Sequence, residues 1–525
     1  MATVVVPHEF FKNENTNRFT SRNARWILIF GLSVILSTLG AWRFHKSYFG
    51  KHEWHTFSLK LHRTPLHDTW DRFLSFGLDT SLLRDMNNFP ITDERFMNLA
   101  RHLSPAYVRV GGTSADCLYF NQTTKQGLRK VSPVDGQNIS KFSITEQNFD
   151  DLYNFAKNSH LQMLFDLNVL IRNPDNTWNN TNAREIISFA KKHYMDLDWQ
   201  LGNEPNSFHH VFNVTITAAK LGRDYYNLRQ LLNEYGFTKN LLVGPEVNHV
   251  GDEDHKGEFY AKEFLNNSQN SVDYITWHQY YLNGRIAEIA DFINPKIFNY
   301  LQMQIQSMKE IIGLTKKHMS MWLSETSTAY GGGAPELSDR FVAGFLWLDK
   351  LGYSAMTGIK VVIRQSLFGG NYAMVGPDLL PNPDWWLSVI YKQFVSNKVL
   401  KVILPNHLGS VRLYAHCTPK RKLVDGVPAV TVFGMNLNRF PMKVIIQGLI
   451  PLLQRNWKIS FYALTSDSLK SRMVRLNGHI LQLKPNGDLP SFNATILRPS
   501  REVTLPAYSM VFMIIHGVNI HECAA

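Results

Sequence analysis

Two glutamates carry the clearest chemical signal in this sequence: Glu204 in Trp199-Gln-Leu-Gly-Asn-Glu-Pro-Asn206 and Glu325 in Trp322-Leu-Ser-Glu-Thr-Ser-Thr-Ala-Tyr-Gly-Gly-Gly333. Each closes a short apolar run, so each is expected where a buried strand ends and a loop begins. Paired carboxylates in such positions fit glycoside hydrolysis with retention. That chemistry needs one protonated carboxyl to help the leaving sugar depart and one ionised carboxylate to attack the anomeric carbon, with the two groups about 5 Å apart. A single Glu at a strand end is as readily a structural hydrogen-bonding group; two in these settings favour the chemistry.

The elements that must position them follow from the rhythm of the chain. From about residue 72, short apolar runs alternate with amphipathic stretches, the pattern of a parallel α/β architecture. Eight runs stand out: Phe73–Leu78, Ala106–Val110, Gln162–Leu167, Asp198–Leu201, Leu241–Gly244, Val272–Trp277, Met321–Ser324 and Ile359–Arg364. Eight such strands with helices between them predict a closed (β/α)8 TIM barrel, whose rim at the C-terminal strand ends is where catalysis takes place. Arg184–Lys192 and Asp339–Leu351 show helical spacing, and their apolar and aromatic positions read as core faces. In this count Glu204 follows strand four and Glu325 follows strand seven. Further rim candidates are Asp79 after strand one, Thr113 after strand two, His278 and Tyr280 after strand six, and Gln365 at strand eight.

After about residue 400 the pattern changes to short alternating segments such as Ala429–Phe433 and Lys443–Ile446, with Gly, Pro and Asn between them. This predicts an all-β domain of sandwich type, to which His55–Leu61 can add a strand from the N-terminal side. The expected organisation is a cytoplasmic tail over 1–25, a signal-anchor or transmembrane segment over 26–42, a linker and first β-domain strand over 43–71, the catalytic barrel over 72–400 and the β-sandwich over 401–525.

The 525 residues are 44% hydrophobic, enough for a barrel core and a second domain. A net charge of +12 favours an acidic partner. The sequence has no long Lys/Arg block, no zinc-ligand spacing and no nucleotide-binding glycine loop, which argues against nucleic acid and nucleotide chemistry. No metal or cofactor is expected. Trp26 to Trp42 are 17 uncharged, mostly apolar positions, flanked by Arg18, Arg22 and Arg25 on one side and Arg43, Lys46 and Lys51 on the other. As a helix they would span about 25 Å, the short limit for a bilayer, and the long n-region favours a type II signal-anchor over a cleaved signal peptide. Membrane contact through 26–42 is therefore expected. Six glycosylation sequons downstream, at Asn121, Asn138, Asn179, Asn213, Asn266 and Asn493, favour a lumenal, extracellular or lysosomal main body. Of three cysteines, Cys417 and Cys523 are expected to form a bridge tying the C-terminal tail into the last domain. Cys117, in an apolar setting, is expected to be a buried thiol.

From about Ser75 to the C-terminus the chain resembles the heparanase family, endo-β-glucuronidases that cut heparan sulfate. The resemblance rests on Leu103-Ser-Pro-Ala-Tyr-Val-Arg-Val-Gly-Gly-Thr113, Leu201-Gly-Asn-Glu-Pro-Asn-Ser-Phe208, Thr276-Trp-His-Gln-Tyr-Tyr-Leu-Asn-Gly-Arg285 and the long stretch Leu323–Leu351. It implies that Glu204 is the proton donor and Glu325 the nucleophile, with Asn203 near the reacting carbon and Tyr280 orienting Glu325. It further implies that backbone N–H groups at Gly331 and Gly332, with Tyr330, Gly370 and Tyr372, read a glucuronate. Asp79, Thr113, His278 and Gln365 complete the set of substrate contacts, with Lys141 and Arg285 as anion contacts. Some positions depart from the family. The loop after strand five, Asn248-His-Val-Gly-Asp-Glu-Asp-His255, is acidic where the family carries a basic pair, so a sulfate there would be repelled. Ser143 and Ser81 replace a family lysine and asparagine. The family's long excised linker is reduced to Asn121 to roughly Lys141, which predicts activity as a single chain. The expected function is a retaining endo-β-glucuronidase on heparan sulfate or a related glycosaminoglycan. The alternatives are a non-catalytic glycosaminoglycan-binding member or an exo-β-glucuronidase.

Overall fold

All eight apolar runs form strands of one parallel sheet: Leu74–Asp79, Ala106–Gly111, Leu161–Leu167, Leu197–Leu201, Val243–Val247, Tyr274–Gln279, Met321–Thr326 and Val361–Arg364. In the computed structural model, which describes residues 56–122, 130–132, 136–315, 319–403, 409–447, 453–497, 502–518 and 520–524, these strands are ordered four, three, two, one, eight, seven, six, five. The seam between strands four and five is closed by the bond from Trp199 N to Leu241 O at 2.9 Å and a parallel bridge from Trp199 to Leu242. The result is the expected barrel with helices around it. Its strands are buried on both faces, which is why they read as continuous apolar runs and not as alternating ones. Strand five starts two residues later than its run predicts, because Leu241 and Leu242 serve the seam, and so takes in Glu246.

The helices are set by local signals. Glu146–Asn158 opens on a capping box between Thr145 and Asn148 and buries Phe149, Leu152, Phe155 and Ala156 at helical spacing. Ala218–Glu234 is capped by Thr217, whose hydroxyl accepts from Lys220 N. The helix Ala343–Thr357 is buried on every side from Ala343 to Ala355, because it packs against both the barrel and the β domain. Its Asp349 accepts from Arg412 Nε at 2.5 Å and from the Tyr414 hydroxyl at 2.6 Å, joining the two domains through a buried ion pair.

The second domain is a mixed β-sheet of eleven strands. In place of two separate sheets, its layers are joined by the strand Thr56–Asp68. That strand pairs antiparallel with Lys398–Ile403 and, at its other end, parallel with Met442–Gln447. Val411, Leu413, Val444, Ile446, Val503 and Leu505 share one apolar core between the layers. Cys417 and Cys523 are bridged, with Cα atoms 5.1 Å apart across 106 residues. Cys117 is buried and unbridged, and burial pushes its thiol up to about 12, so it is a neutral packing group. Among the sequons, Asn121, Asn213, Asn266 and Asn493 are exposed and Asn138 and Asn179 are half-buried. The expected tail over 1–25, the anchor over 26–42 and the linker up to residue 55 lie outside the described residues. Among the described residues no helix is long and apolar enough to cross a membrane.

The domain junction leaves no room at Gly352, where an added Cβ would stand 2.1 Å from the Tyr414 ring. Gly352→Ala is expected to destabilise the protein by about 1–3 kcal/mol through overpacking, read as a lower melting temperature; an unchanged melting temperature would contradict this account of the junction.

Candidate active site

Strand four ends at Leu201, and Gly202 and Asn203 carry the chain to Glu204 on the barrel rim. Glu204 adopts a left-handed backbone, φ 57° and ψ 51°, with its N–H donating to Glu246 O at 3.1 Å and Pro205 opening a short 3-10 turn behind it. Such a conformation costs a non-glycine residue roughly 1–3 kcal/mol and persists where surrounding bonds hold it. Glu325 lies inside strand seven, next to its last residue, where the register with strand six shifts. Behind it, the buried Lys350 donates to Ser327 O at 2.8 Å and to the Thr326 hydroxyl, fixing the backbone that carries Glu325.

The two carboxylates meet over His278 on strand six. Glu204 Oε1 receives a hydrogen bond from His278 Nδ1 at 2.7 Å, and the ligand-type atoms of Glu204, His278 and Glu325 lie within 4.8 Å of one another. Carboxylate atoms this close agree better with the roughly 5–5.5 Å spacing of retaining enzymes than with the roughly 6.5–9.5 Å of inverting ones. Glu325 is pinned from three sides. Arg109 Nη1 donates to its Oε2 at 2.8 Å, the Tyr280 hydroxyl donates to its Oε1 at 2.6 Å, and His278 Nδ1 is 3.9 Å away. Burial works to raise its carboxyl, but the charges of His278 and Arg109 and the two hydrogen bonds outweigh it and hold Glu325 below the ordinary glutamate value.

A third carboxylate, Glu246, completes the arrangement from below. It is wholly buried at the end of strand five, receives bonds from Arg109 and from His278 Nε2 at 2.9 Å each, and is held below its usual value against burial by those two cations. His278 thus lies between Glu204 and Glu246 with both ring nitrogens engaged. Burial would lower it, yet Glu325, Glu204 and Glu246 lift it to about 10, so it is an imidazolium at neutral pH. Three converging donor atoms could in principle hold a cation, but an imidazolium with both nitrogens donating has no lone pair to offer a metal. Arg109 also donates to Gln200 at 2.8 Å and to Asn203 Oδ1 at 2.8 Å, which turns the Asn203 amide NH2 toward the cleft.

These groups line a cavity of about 790 Å³. Of the residues expected from sequence, Asp79, Thr113, Asn203, Glu204, His278, Tyr280, Arg285, Glu325, Tyr330, Gly331, Gly332 and Tyr372 line it. Gly331 and Gly332 have φ of 74° and 87° and open space around them, so their backbone faces the cleft unobstructed. Three expected contacts stand back from the cavity. Gln365 donates to Asp79 Oδ2 at 3.0 Å. Gly370 lies under Tyr372, whose ring would be 2.7 Å from a Cβ there. Lys141 is exposed, with its ammonium 5.3 Å from the Tyr119 ring centre.

Sequence reasoning missed Arg109, Glu246, Gln200 and Asp116. Asp116 accepts from Asn203 N at 2.9 Å and from Val169 N at 3.1 Å, and burial pushes it up to about 7. The signals were present. Arg109 and Gln200 interrupt otherwise apolar strands, and Glu246 closes an apolar run just as Glu204 and Glu325 do. Structure separates the three glutamates by access: the Glu204 and Glu325 side chains are 23% and 11% exposed and line the cleft, whereas Glu246 is sealed.

A (β/α)8 barrel with two rim carboxylates at this separation and a β-sheet domain attached defines the class of glycoside hydrolases. The chain belongs to glycosyl hydrolase family 79: the model of that family's N-terminal domain matches residues 80–352. It is 33% identical to the heparanase of Bos taurus over 506 residues, covering 87% of this chain and 91% of the relative. It is 32% identical to the hyaluronoglucuronidase of Hirudo nipponia over 465 residues (82% and 91%), and 29% identical to the inactive heparanase-2 of Homo sapiens over 527 residues (88% of each). Among solved structures, the α-L-arabinofuranosidase of Thermotoga maritima superposes with a TM-score of 0.63 at 13% identity, over 88% of this chain and all of that one, a likeness of fold.

The His278 charge has a checkable sign. Its pKa is raised above the ordinary 6.5 to about 10, so the stability it contributes is complete below pH 6.5 and is lost as pH rises through about 10. The His278 ring resonances in a histidine-labelled sample are expected to stay in the imidazolium position from pH 5 to 8; titration near 6.5 would contradict the charge assignment.

Proposed function

We propose that this protein is a retaining endo-β-glucuronidase acting on heparan sulfate or a related glycosaminoglycan, with Glu204 as proton donor and Glu325 as nucleophile. One observation carries the reading: two cleft-lining carboxylates within 4.8 Å, only one of which is held by a permanent cation. The assignment follows from the contacts: Glu325 and Glu246 are each bonded to the Arg109 guanidinium, whereas Glu204 is bonded to His278. Glu204 touches His278 alone, while its Oε2 has no protein partner among the described residues. We therefore assign Glu204, which faces the cleft, as the proton donor.

In the first step Glu325 forms a bond to the anomeric carbon as the glycosidic bond breaks, and Glu204 passes its proton to the departing oxygen. In the second, Glu204 takes a proton from water, whose oxygen displaces Glu325 and restores both groups. Tyr280 and Arg109 stabilise the Glu325 carboxylate that departs. The Gly331 and Gly332 backbone, with Tyr330 and Tyr372, provides donors for a substrate carboxylate. The bridge between Cys417 and Cys523 and the exposed sequons support a body in an oxidising, lumenal or extracellular compartment, and Trp26–Trp42 is the proposed anchor. A second reading, a member that binds without turnover, is favoured by the likeness to inactive heparanase-2 and opposed by the intact carboxylate pair.

Glu204→Gln and Glu325→Gln are each expected to lower kcat/KM on a glucuronide polymer by about 10³-fold or more. With an activated aryl β-glucuronide, azide should rescue Glu204→Ala as the β-azide and Glu325→Ala as the α-azide. Exchange of the two outcomes would reverse the roles, and absence of wild-type turnover would leave the binding reading.

A further inference from the structure

The chain carries 55 Lys and Arg residues, yet among the described residues Arg285 alone of them lines the candidate cleft. Four carboxylates line the same space: Asp79, Glu204, Asp252 and Glu325. The positive charge nearby is already committed, since Arg109 and His278 are bonded to Glu325, Glu246 and Glu204. Lys141, the other basic residue expected to meet an anion, stands outside the cavity. Arg285 itself is exposed and makes no ion pair with any described residue, so its guanidinium is free for one anionic group.

The acidic wall lies on the loop after strand five. Asp252 is 43% exposed there, with an imidazole nitrogen of His249 at 2.9 Å and the Tyr300 hydroxyl at 3.4 Å, and no Lys or Arg bonded to it. A sulfate seated beside it would meet like charge, and Lys256, which acts on Asp252 through space, is itself paired with Asp254 at 2.9 Å. The repulsion would be stronger in a partly dried cleft than in water. Specificity is set as much by what a site repels as by what it attracts.

Resting on the glucuronidase reading, we propose that this cleft selects an unsulfated stretch of polymer, alternating uronate and N-acetylated hexosamine, with Arg285 meeting a uronate carboxylate and Asp252 excluding sulfate. Among the described residues, one free Lys or Arg in the cleft matches a chain that brings one anion per disaccharide.

The test uses the purified full chain and its Asp252→Lys and Asp252→Asn variants, with size-matched octasaccharides of alternating glucuronate and N-acetylglucosamine and of the same backbone with N-sulfate in place of N-acetyl and with 6-O-sulfates. Both Kd and kcat/KM are measured at neutral pH and moderate salt. The expected result is at least a tenfold preference for the unsulfated octasaccharide, narrowed severalfold by Asp252→Lys and less by Asp252→Asn, with Arg285→Ala weakening binding of both. Equal or tighter binding of the sulfated octasaccharide, binding of neither, or a preference untouched by Asp252→Lys would overturn the proposal. Binding preference without cleavage would uphold it and sink the catalytic reading instead, so the two failures are distinguishable.

Discussion

The guanidinium of Arg109 is the interaction on which the rest of the site depends. It is wholly buried inside the barrel and reaches Glu325 and Glu246 at 2.8 and 2.9 Å, with Asp166 at 3.6 Å. Burial alone would weaken its charge, but those carboxylates outweigh burial and keep it ionised. A buried cation of this kind contributes little net stability, whereas its removal would strand carboxylates without a counter-charge, at about 3–5 kcal/mol for a single broken pair. Its planar fork fits the geometry: separate nitrogens serve Glu325 and Asn203 while Nε serves Gln200, an arrangement a lysine cannot reproduce.

Given that cation, the three glutamates take different roles by position. Glu246 is sealed and accepts from Arg109 and His278 beneath the cleft. Glu325 is braced by Arg109 and Tyr280 and by a strand whose continuation Lys350 holds in place. Glu204 stands on a left-handed turn with a single contact to His278. The same local device recurs at Glu246, whose φ is 60°. Two glutamates in a sparsely populated backbone region, joined by the bond from Glu204 N to Glu246 O, place strain where the geometry must be fixed. The barrel makes this affordable because neighbouring strands hold the rim on both sides.

Much of this was legible in the sequence. Eight apolar runs predict eight strands, and the barrel follows because parallel strands with helical crossovers must bury both faces. Glu204, Glu325, Tyr280, His278 and the glycines after strand seven are found together on the rim. What the sequence concealed has a common cause: polar residues buried inside strands look like interruptions until their partners are seen. Arg109, Gln200 and Glu246 come from strands two, four and five, and only closure of the barrel brings them together. Lys141, expected as an anion contact, lies against the Tyr119 ring and outside the described cavity lining. The β domain expected after residue 400 is found, and the strand expected to join it from the N-terminal side, Thr56–Asp68, pairs with both of its layers.

The molecule therefore separates two kinds of charge. The sequence carries a net positive excess, while among the described residues the candidate cleft is lined by four carboxylates and one arginine, Arg285. The central claim is that Glu325, braced by Arg109 and Tyr280, is the nucleophile. A mechanism-based fluorinated β-glucuronide, followed by peptide mass spectrometry, measures it most directly. The account predicts a glycosyl ester on Glu325. An ester on Glu204 or Glu246, or turnover with inverted product and no ester, would contradict it.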